Sequence, residues 1–262
     1  MIKLAIFDLD GTLVDSMHYW SIAPLDYIKE KNIDITIDQE LSDKFLSMSL
    51  VESAIYFKEN YGITDPIDEI CLDIDKKMEY YYLNYVELKP GILDLIKKLD
   101  NLGIKMAIAT ATDHFLVDEV LDKLNINKYF TYTLTSTEVG SSKQKPDIYL
   151  KIAEHFNATP EESMIFEDLP YGIISGNGAG FHTVGVYDKP SVHHQKTIKK
   201  NAKLYVKHIN NISIYRIISY IKNSKWCKTQ GLTPWLLVNY GVEYRWIGEL
   251  LLGLLASTKC RL

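Results

Sequence analysis

An apolar run, Lys3-Leu4-Ala5-Ile6-Phe7, stops at two aspartates two residues apart, Asp8 and Asp10, with Gly11 and Thr12 after them. Residues i and i+2 of a strand point the same way, so both carboxylates can converge on one point beyond the strand's end. Two such charges repel unless a cation or a shared proton stands between them. No basic residue adjoins them, and a bound metal is the economical solution. The bland alternative is a strand followed by an Asp-Gly turn. A calcium loop opens in the same way, but it needs a preceding helix and a bidentate Glu at its twelfth position. Counted from Asp8 that position is Tyr19, and the preceding segment reads as a strand.

Three further places carry chemistry of the same kind. The apolar run Lys105–Ala109 ends in Thr110-Ala111-Thr112. A hydroxyl and backbone N–H groups at a strand end, entering a helix near Asp113, make a phosphate cradle; the alternative is a plain helix cap by Thr112 or Asp113. Lys143 precedes a helix that Pro146 starts, where it can neutralise a phosphate and the first aspartate, or stand as an exposed loop lysine. Met164-Ile165-Phe166-Glu167-Asp168 places two acids at the end of another apolar strand.

The elements that must position these residues alternate. Strands are expected at Lys3–Phe7, Lys105–Ala109, Tyr132–Thr135, Ser163–Phe166 and His182–Val186. Helical patterns fall between them at Ile92–Asn101, Phe115–Leu124, Ile148–Phe156 and Tyr171–Ala179. Pro90-Gly91 opens one helix and Gly103 closes it. This alternation predicts an α/β fold, a doubly wound parallel sheet covered on both faces, with ligands at the carboxyl ends of the strands. Residues 17–86 break the rhythm. Tyr19–Lys31, Gln39–Phe45, Val51–Tyr61 and Ile67–Tyr85 read as an all-helical unit inserted after the first strand, placed as a lid over the aspartates. The expected division is therefore an α/β core over 1–16 and 87–222, a helical cap over 17–86, and a tail over 223–262.

The tail departs from the body in composition. It holds three of the four tryptophans, two of the three cysteines and two of the three arginines, whereas the body uses Lys almost exclusively. That shift suggests a different origin and a poorly packed appendix. Trp235–Ala256 is apolar, but Glu243, Arg245 and Glu249 argue against a membrane span. A net charge of -5 gives no reason to expect nucleic acid or an anionic membrane as partner. The odd, scattered cysteines (Cys71, Cys227, Cys260) form neither a metal spacing nor a disulfide framework. With no secretory pattern at the N-terminus, a cytoplasmic setting is expected. Oligomeric state is not legible.

Other features have bland readings. Gly176-Asn177-Gly178-Ala179-Gly180 follows a helix and lacks dinucleotide spacing, which suits a helix C-terminus. His193-His194 reads as exposed loop. Met17, His18 and Trp20 either face a substrate or pack at the entry to the cap.

In combination these motifs resemble the haloacid dehalogenase-like (HAD) hydrolase superfamily, close to its phosphatases and its β-phosphoglucomutase-like branch with a helical cap. Phe-Asp-Leu-Asp-Gly-Thr-Leu-Val-Asp-Ser at 7–16, Ile-Ala-Thr at 108–110, Lys-Gln-Lys-Pro-Asp-Ile-Tyr-Leu at 143–150 and Phe-Glu-Asp-Leu-Pro-Tyr-Gly-Ile at 166–173 carry the resemblance. It covers residues 1–222. It implies that Asp8 is the nucleophile forming an aspartyl-phosphate and that Asp10 is the general acid and base. It implies Mg²⁺ held by Asp8, the backbone carbonyl of Asp10 and Asp168, with Glu167 beside them. Thr110 and the Ala111 amide are expected to hold the phosphoryl oxygens, and Lys143 to balance the charge. The lysine spacing to Pro146 selects Lys143 over Lys145. The implied reaction is hydrolysis of a small phosphorylated metabolite such as a sugar phosphate. The alternatives are a phosphomutase or a catalytically silent binding protein.

Overall fold

The computed structural model describes residues 2–33, 45 and 48–209. Six parallel strands form one sheet: β1 (Leu4–Phe7), β2 (Lys105–Thr110), β3 (Tyr132–Thr135), β4 (Ser163–Glu167), β5 (His182–Val186) and β6 (Leu204–Val206), in the order β3-β2-β1-β4-β5-β6. This is the doubly wound arrangement expected from the alternation. Every residue of β1, β4 and β5 is buried, as befits strands covered on both faces. The winding reverses between β1 and β4, and at that reversal a crevice opens beyond the strand ends.

Helices cover the sheet: α4 (Ile92–Asn101), α5 (His114–Lys123), α6 (Ser136–Val139), α7 (Asp147–His155), α8 (Pro170–Gly178) and α9 (Gln195–Asn201). In α4 the buried residues Ile92, Leu95, Ile96 and Leu99 recur at helical spacing and form one apolar stripe. On one face of the sheet Ile148, Tyr149, Ile152 and Ala153 of α7 pack with Leu4, Ile6, Ala107, Ala109 and Ile165. Phe7 stacks on Phe166 across the β1–β4 pair with ring centroids 4.4 Å apart.

Three elements carry no signal of their own in the sequence reading. The single-turn α6 is made by a capping box between Thr135 and Glu138 and is too short for an apolar period. In α9 only Gln195 and Ile198 are buried, so no stripe shows. β6 is a three-residue edge.

Between β1 and α4 lie α1 (Met17–Glu30), α2 (Leu50–Tyr61) and α3 (Ile67–Asn84). Ser49 and Glu52 form a capping box that starts α2. Both α1 and α2 pack on α3, and α3 packs on α5 of the sheet layer. The chain leaves β1 and returns to α4 through adjacent crossings. Asp15 N–H donates to Glu87 O and Lys89 N–H to Leu13 O, each at 2.9 Å. The expected helix at Gln39–Phe45 falls, save Phe45, outside the described residues. So do the boundary at residue 222 and the tail over 223–262. Among the described residues no helix is long and apolar enough to cross a membrane.

Candidate active site

The C-terminal ends of β1, β2 and β4 are neighbours in the sheet, and all the motif residues gather there. Asp8 follows β1 directly and is held by its backbone, whose N–H donates to Phe166 O at 3.0 Å. Glu167 ends β4 and Asp168 follows it. Lys143 comes from the loop before α7. Its Nζ donates to Asp8 Oδ1 at 2.6 Å, to Glu167 Oε1 at 2.7 Å and to Ala109 O at 3.3 Å. Lys143 is only 4% exposed, whereas Lys145 lies on the surface. The structure thus brings Lys143, and not Lys145, to the aspartate.

Asp8, Glu167 and Asp168 each offer a carboxylate oxygen, and these oxygens lie within 4.8 Å of one another. All three residues are buried. Burial pushes the Asp8 carboxyl up to about 7, against the pull of Lys143. Burial, then Asp8 and Glu167, pushes Asp168 well above the carboxylate range. Burial disfavours the Lys143 ammonium as well, but Asp8 and Glu167 outweigh it and hold its pKa well above the usual value. Among the described residues one ammonium bonds two of the three carboxylates and Asp168 is met only by hydroxyls, which leaves the cluster short of positive charge. A cluster of hard oxygen donors with that deficit suits a small divalent cation such as Mg²⁺.

The oxygens of the three acids are unequally committed. Glu167 Oε1 accepts from Lys143 and from Tyr149 OH at 3.3 Å, and its Oε2 accepts from Leu169 N–H at 3.0 Å. Asp168 accepts from Thr12 Oγ1 at 3.2 Å and from Ser191 Oγ at 3.3 Å. No hydrogen bond from the described residues reaches Asp8 Oδ2. Two glycines permit this packing. A Cβ on Gly11, whose φ is +75°, would lie 2.8 Å from Asp168 Cγ. A Cβ on Gly172 would lie 2.6 Å from Glu167 Cδ.

The Asp10 side chain stands outside the three-acid cluster. Its Oδ1 accepts from Ser16 Oγ at 2.5 Å and from Tyr82 OH at 2.6 Å, and its Oδ2 accepts from Thr112 Oγ1 at 2.6 Å. The Thr112 hydroxyl is thus spent on Asp10, and Asp113 stands at the N-cap position of α5 without a side-chain cap bond. Thr110 is buried, and its Oγ1 accepts from Thr112 N–H at 3.1 Å, which fixes the turn. Ala111 is exposed at the same strand end.

Several residues at the site were not singled out by the sequence for the contacts they make here. Thr12 and Ser16 lie inside the first motif, and their hydroxyls were the available signal. Tyr82, Ser191 and the Lys89–Asp188 pair gave none. Lys89 Nζ meets Asp188 Oδ1 at 2.5 Å, and Ser191 Oγ lies 3.5 Å from Asp188 Oδ2, so a buried ion pair stands behind Asp168. Burial raises the Asp188 carboxyl, and Lys89 opposes that rise. Trp20, left open between two readings, donates its Nε1–H to Tyr82 OH at 3.1 Å.

Comparison with known proteins agrees with this architecture. Residues 5–186 match the family model described as haloacid dehalogenase-like hydrolase. A phosphorylated carbohydrates phosphatase of Thermotoga maritima is 24% identical over 182 residues, which span 70% of this chain and 83% of that protein. The β-phosphoglucomutase of Bacillus subtilis is 29% identical over 191 residues, spanning 70% and 83%. The crystal structure of CbbY from Rhodobacter sphaeroides in complex with phosphate shares the fold. Its TM-score is 0.73 at 22% identity, covering 80% of this chain and 96% of that one. With the match spanning well over half of its length, this chain belongs to the haloacid dehalogenase-like hydrolase family.

Proposed function

We propose that this chain is a Mg²⁺-dependent phosphatase of a small phosphorylated carbohydrate or similar monoester, working through an aspartyl-phosphate on Asp8. The observation that carries this reading is the Lys143–Asp8 contact inside a buried cluster of three acids. Lys143 aims Asp8 and leaves its Oδ2 open toward an incoming phosphorus. Asp8, Asp168 and the Asp10 carbonyl are the residues to hold Mg²⁺, which when bound supplies positive charge to the phosphoryl oxygens. Glu167 is tied to the charged Lys143, to Tyr149 and to Leu169 N–H, whereas Asp168 accepts only two longer hydroxyl bonds, so the role of Glu167 is to hold Lys143 and the turn after β4. The Ala111 amide and the Thr110 turn orient the transferring group. Asp10 delivers a proton to the leaving oxygen and then takes one from water. In-line phosphoryl transfer asks mainly for such positioning and charge balance.

The relatives include a phosphatase and a β-phosphoglucomutase, so hydrolysis and mutation are both in view. A mutase must hold a bisphosphate, and the non-transferring phosphate calls for a cation, best a guanidinium. The three arginines of the chain are Arg216, Arg245 and Arg261, none of them in the body through residue 209. The described lysines between residues 17 and 86 are engaged on their own surface. Lys29 pairs with Asp26, Lys31 with Asp65, Lys76 with Asp73 and Lys77 with Glu30, while Lys58 bonds the carbonyl of Thr64. This favours hydrolysis of a monophosphate. The test is a panel of hexose phosphates with a catalytic amount of hexose bisphosphate and Mg²⁺. Phosphate release without an isomerised hexose phosphate supports the phosphatase. An isomerised product without release would replace it with the mutase.

A further inference from the structure

The Asp10 carboxylate is surrounded by hydroxyls from three stretches of chain, two of them distant. Ser16 and Thr112 belong to the segments that already carry the motif residues. Tyr82 does not. It comes from the last turn of α3, 72 residues away, and is fully buried. Its own hydroxyl is fixed by Trp20 Nε1 at the start of α1. A carboxylate has about four lone-pair sites. Two donors on Oδ1 and one on Oδ2 leave a single open acceptor site, on Oδ2, in a set direction.

We infer that Tyr82, steadied by Trp20, is a positioning residue that aims Asp10 Oδ2 at the water which resolves the aspartyl-phosphate. This rests on the roles proposed above for Asp8 and Asp10. In that step the water oxygen bonds to phosphorus and the bond from phosphorus to the Asp8 oxygen breaks. The water proton passes to Asp10 Oδ2, and Asp8 leaves as a carboxylate. Because Tyr82 and Trp20 sit on α3 and α1, this one of the three bonds to Asp10 is made only while those helices are docked against the sheet.

An activated aryl phosphate isolates the step. Its leaving group needs no proton, so phosphorylation of Asp8 is insensitive to how Asp10 is aimed, whereas hydrolysis is not. In Tyr82→Phe the ring stays packed and only the hydroxyl is lost. The expected result with p-nitrophenyl phosphate and Mg²⁺ is a kcat lowered about tenfold, as loss of one such bond allows. KM should fall in parallel, leaving kcat/KM unchanged, with a burst of nitrophenolate approaching one equivalent per enzyme. Trp20→Phe should show the same signature at roughly threefold. An unchanged kcat in Tyr82→Phe, or a kcat/KM that falls as far as kcat, would overturn the inference. Wild-type turnover, and its loss in Asp8→Asn, judge the proposed function separately.

Discussion

Among the described residues Lys143 is the one cation bonded to the three-acid cluster, through Asp8 and Glu167, and that imbalance governs what substitutions do at this site. Removing one partner of a buried ion pair leaves an uncompensated charge, at a cost of about 3–5 kcal/mol. Lys143→Met should therefore lower the melting temperature markedly in metal-free buffer as well as abolish phosphate release. Asp8→Asn removes one of the surplus negative charges and keeps the shape. It should melt no lower than the wild type while losing at least about 10³-fold in turnover, checked by phosphate release alongside calorimetry. Chelation should silence the wild type and Mg²⁺ restore it, with Asp168→Asn needing a higher Mg²⁺ concentration for half-activity. Equal Mg²⁺ dependence in the two proteins would remove Asp168 from the proposed ligand set. Asp8, Asp10, Glu167 and Asp168 were legible because each lies at the end of an apolar run, at the same edge of the expected sheet. Tyr82 was not legible. Its contact with Asp10 spans 72 residues, and nothing in a tyrosine-rich helix marks which ring turns inward.

Among the elements, α3 against α5 carries a further buried acid, away from the three-acid cluster. Asp75 is 6% exposed, and burial, with Asp113 at the start of α5 adding to it, pushes its carboxyl up to about 7. A folded-state pKa above the unfolded value of about 3.9 means the native state holds the proton more tightly. The stabilisation is complete below pH 4 and is lost as pH rises to 7. Asp75→Asn should flatten that slope, gaining up to a few kcal/mol over the wild type at pH 8 and almost nothing at pH 4. Melting curves at the two pH values decide it. The Lys89–Asp188 pair ties the return crossing to the loop that carries Ser191, behind Asp168. Asp188→Ala should destabilise by about 3 kcal/mol and weaken Mg²⁺ binding through Asp168, read by titration of the metal. At this scale the sequence was informative wherever an element has a buried stripe or a continuous apolar run. It was silent for α6, α9 and β6, which are short and fixed by a capping box, a lone isoleucine or an edge pairing.

For the molecule as a whole, strand order and function are linked through the reversal between β1 and β4. The parallel sheet was legible because strands and helices alternate, and the winding followed from it. The choice of substrate was not legible, because it depends on which side chains of the helical layer face the acids. With no arginine through residue 209, a hexose monophosphate should be turned over with a higher kcat/KM than the corresponding bisphosphate. A preference for the bisphosphate would return the mutase to favour. The two crossings between β1 and the helical layer have a further consequence. Because Asp15 is bonded to Glu87 and Leu13 to Lys89, the inserted helices begin and end at almost the same spot. Such a segment has the geometry of a cassette. One taken from a relative and spliced at those two points should bring its own selectivity while keeping the chemistry only if it also brings a donor to Asp10 in the place of Tyr82.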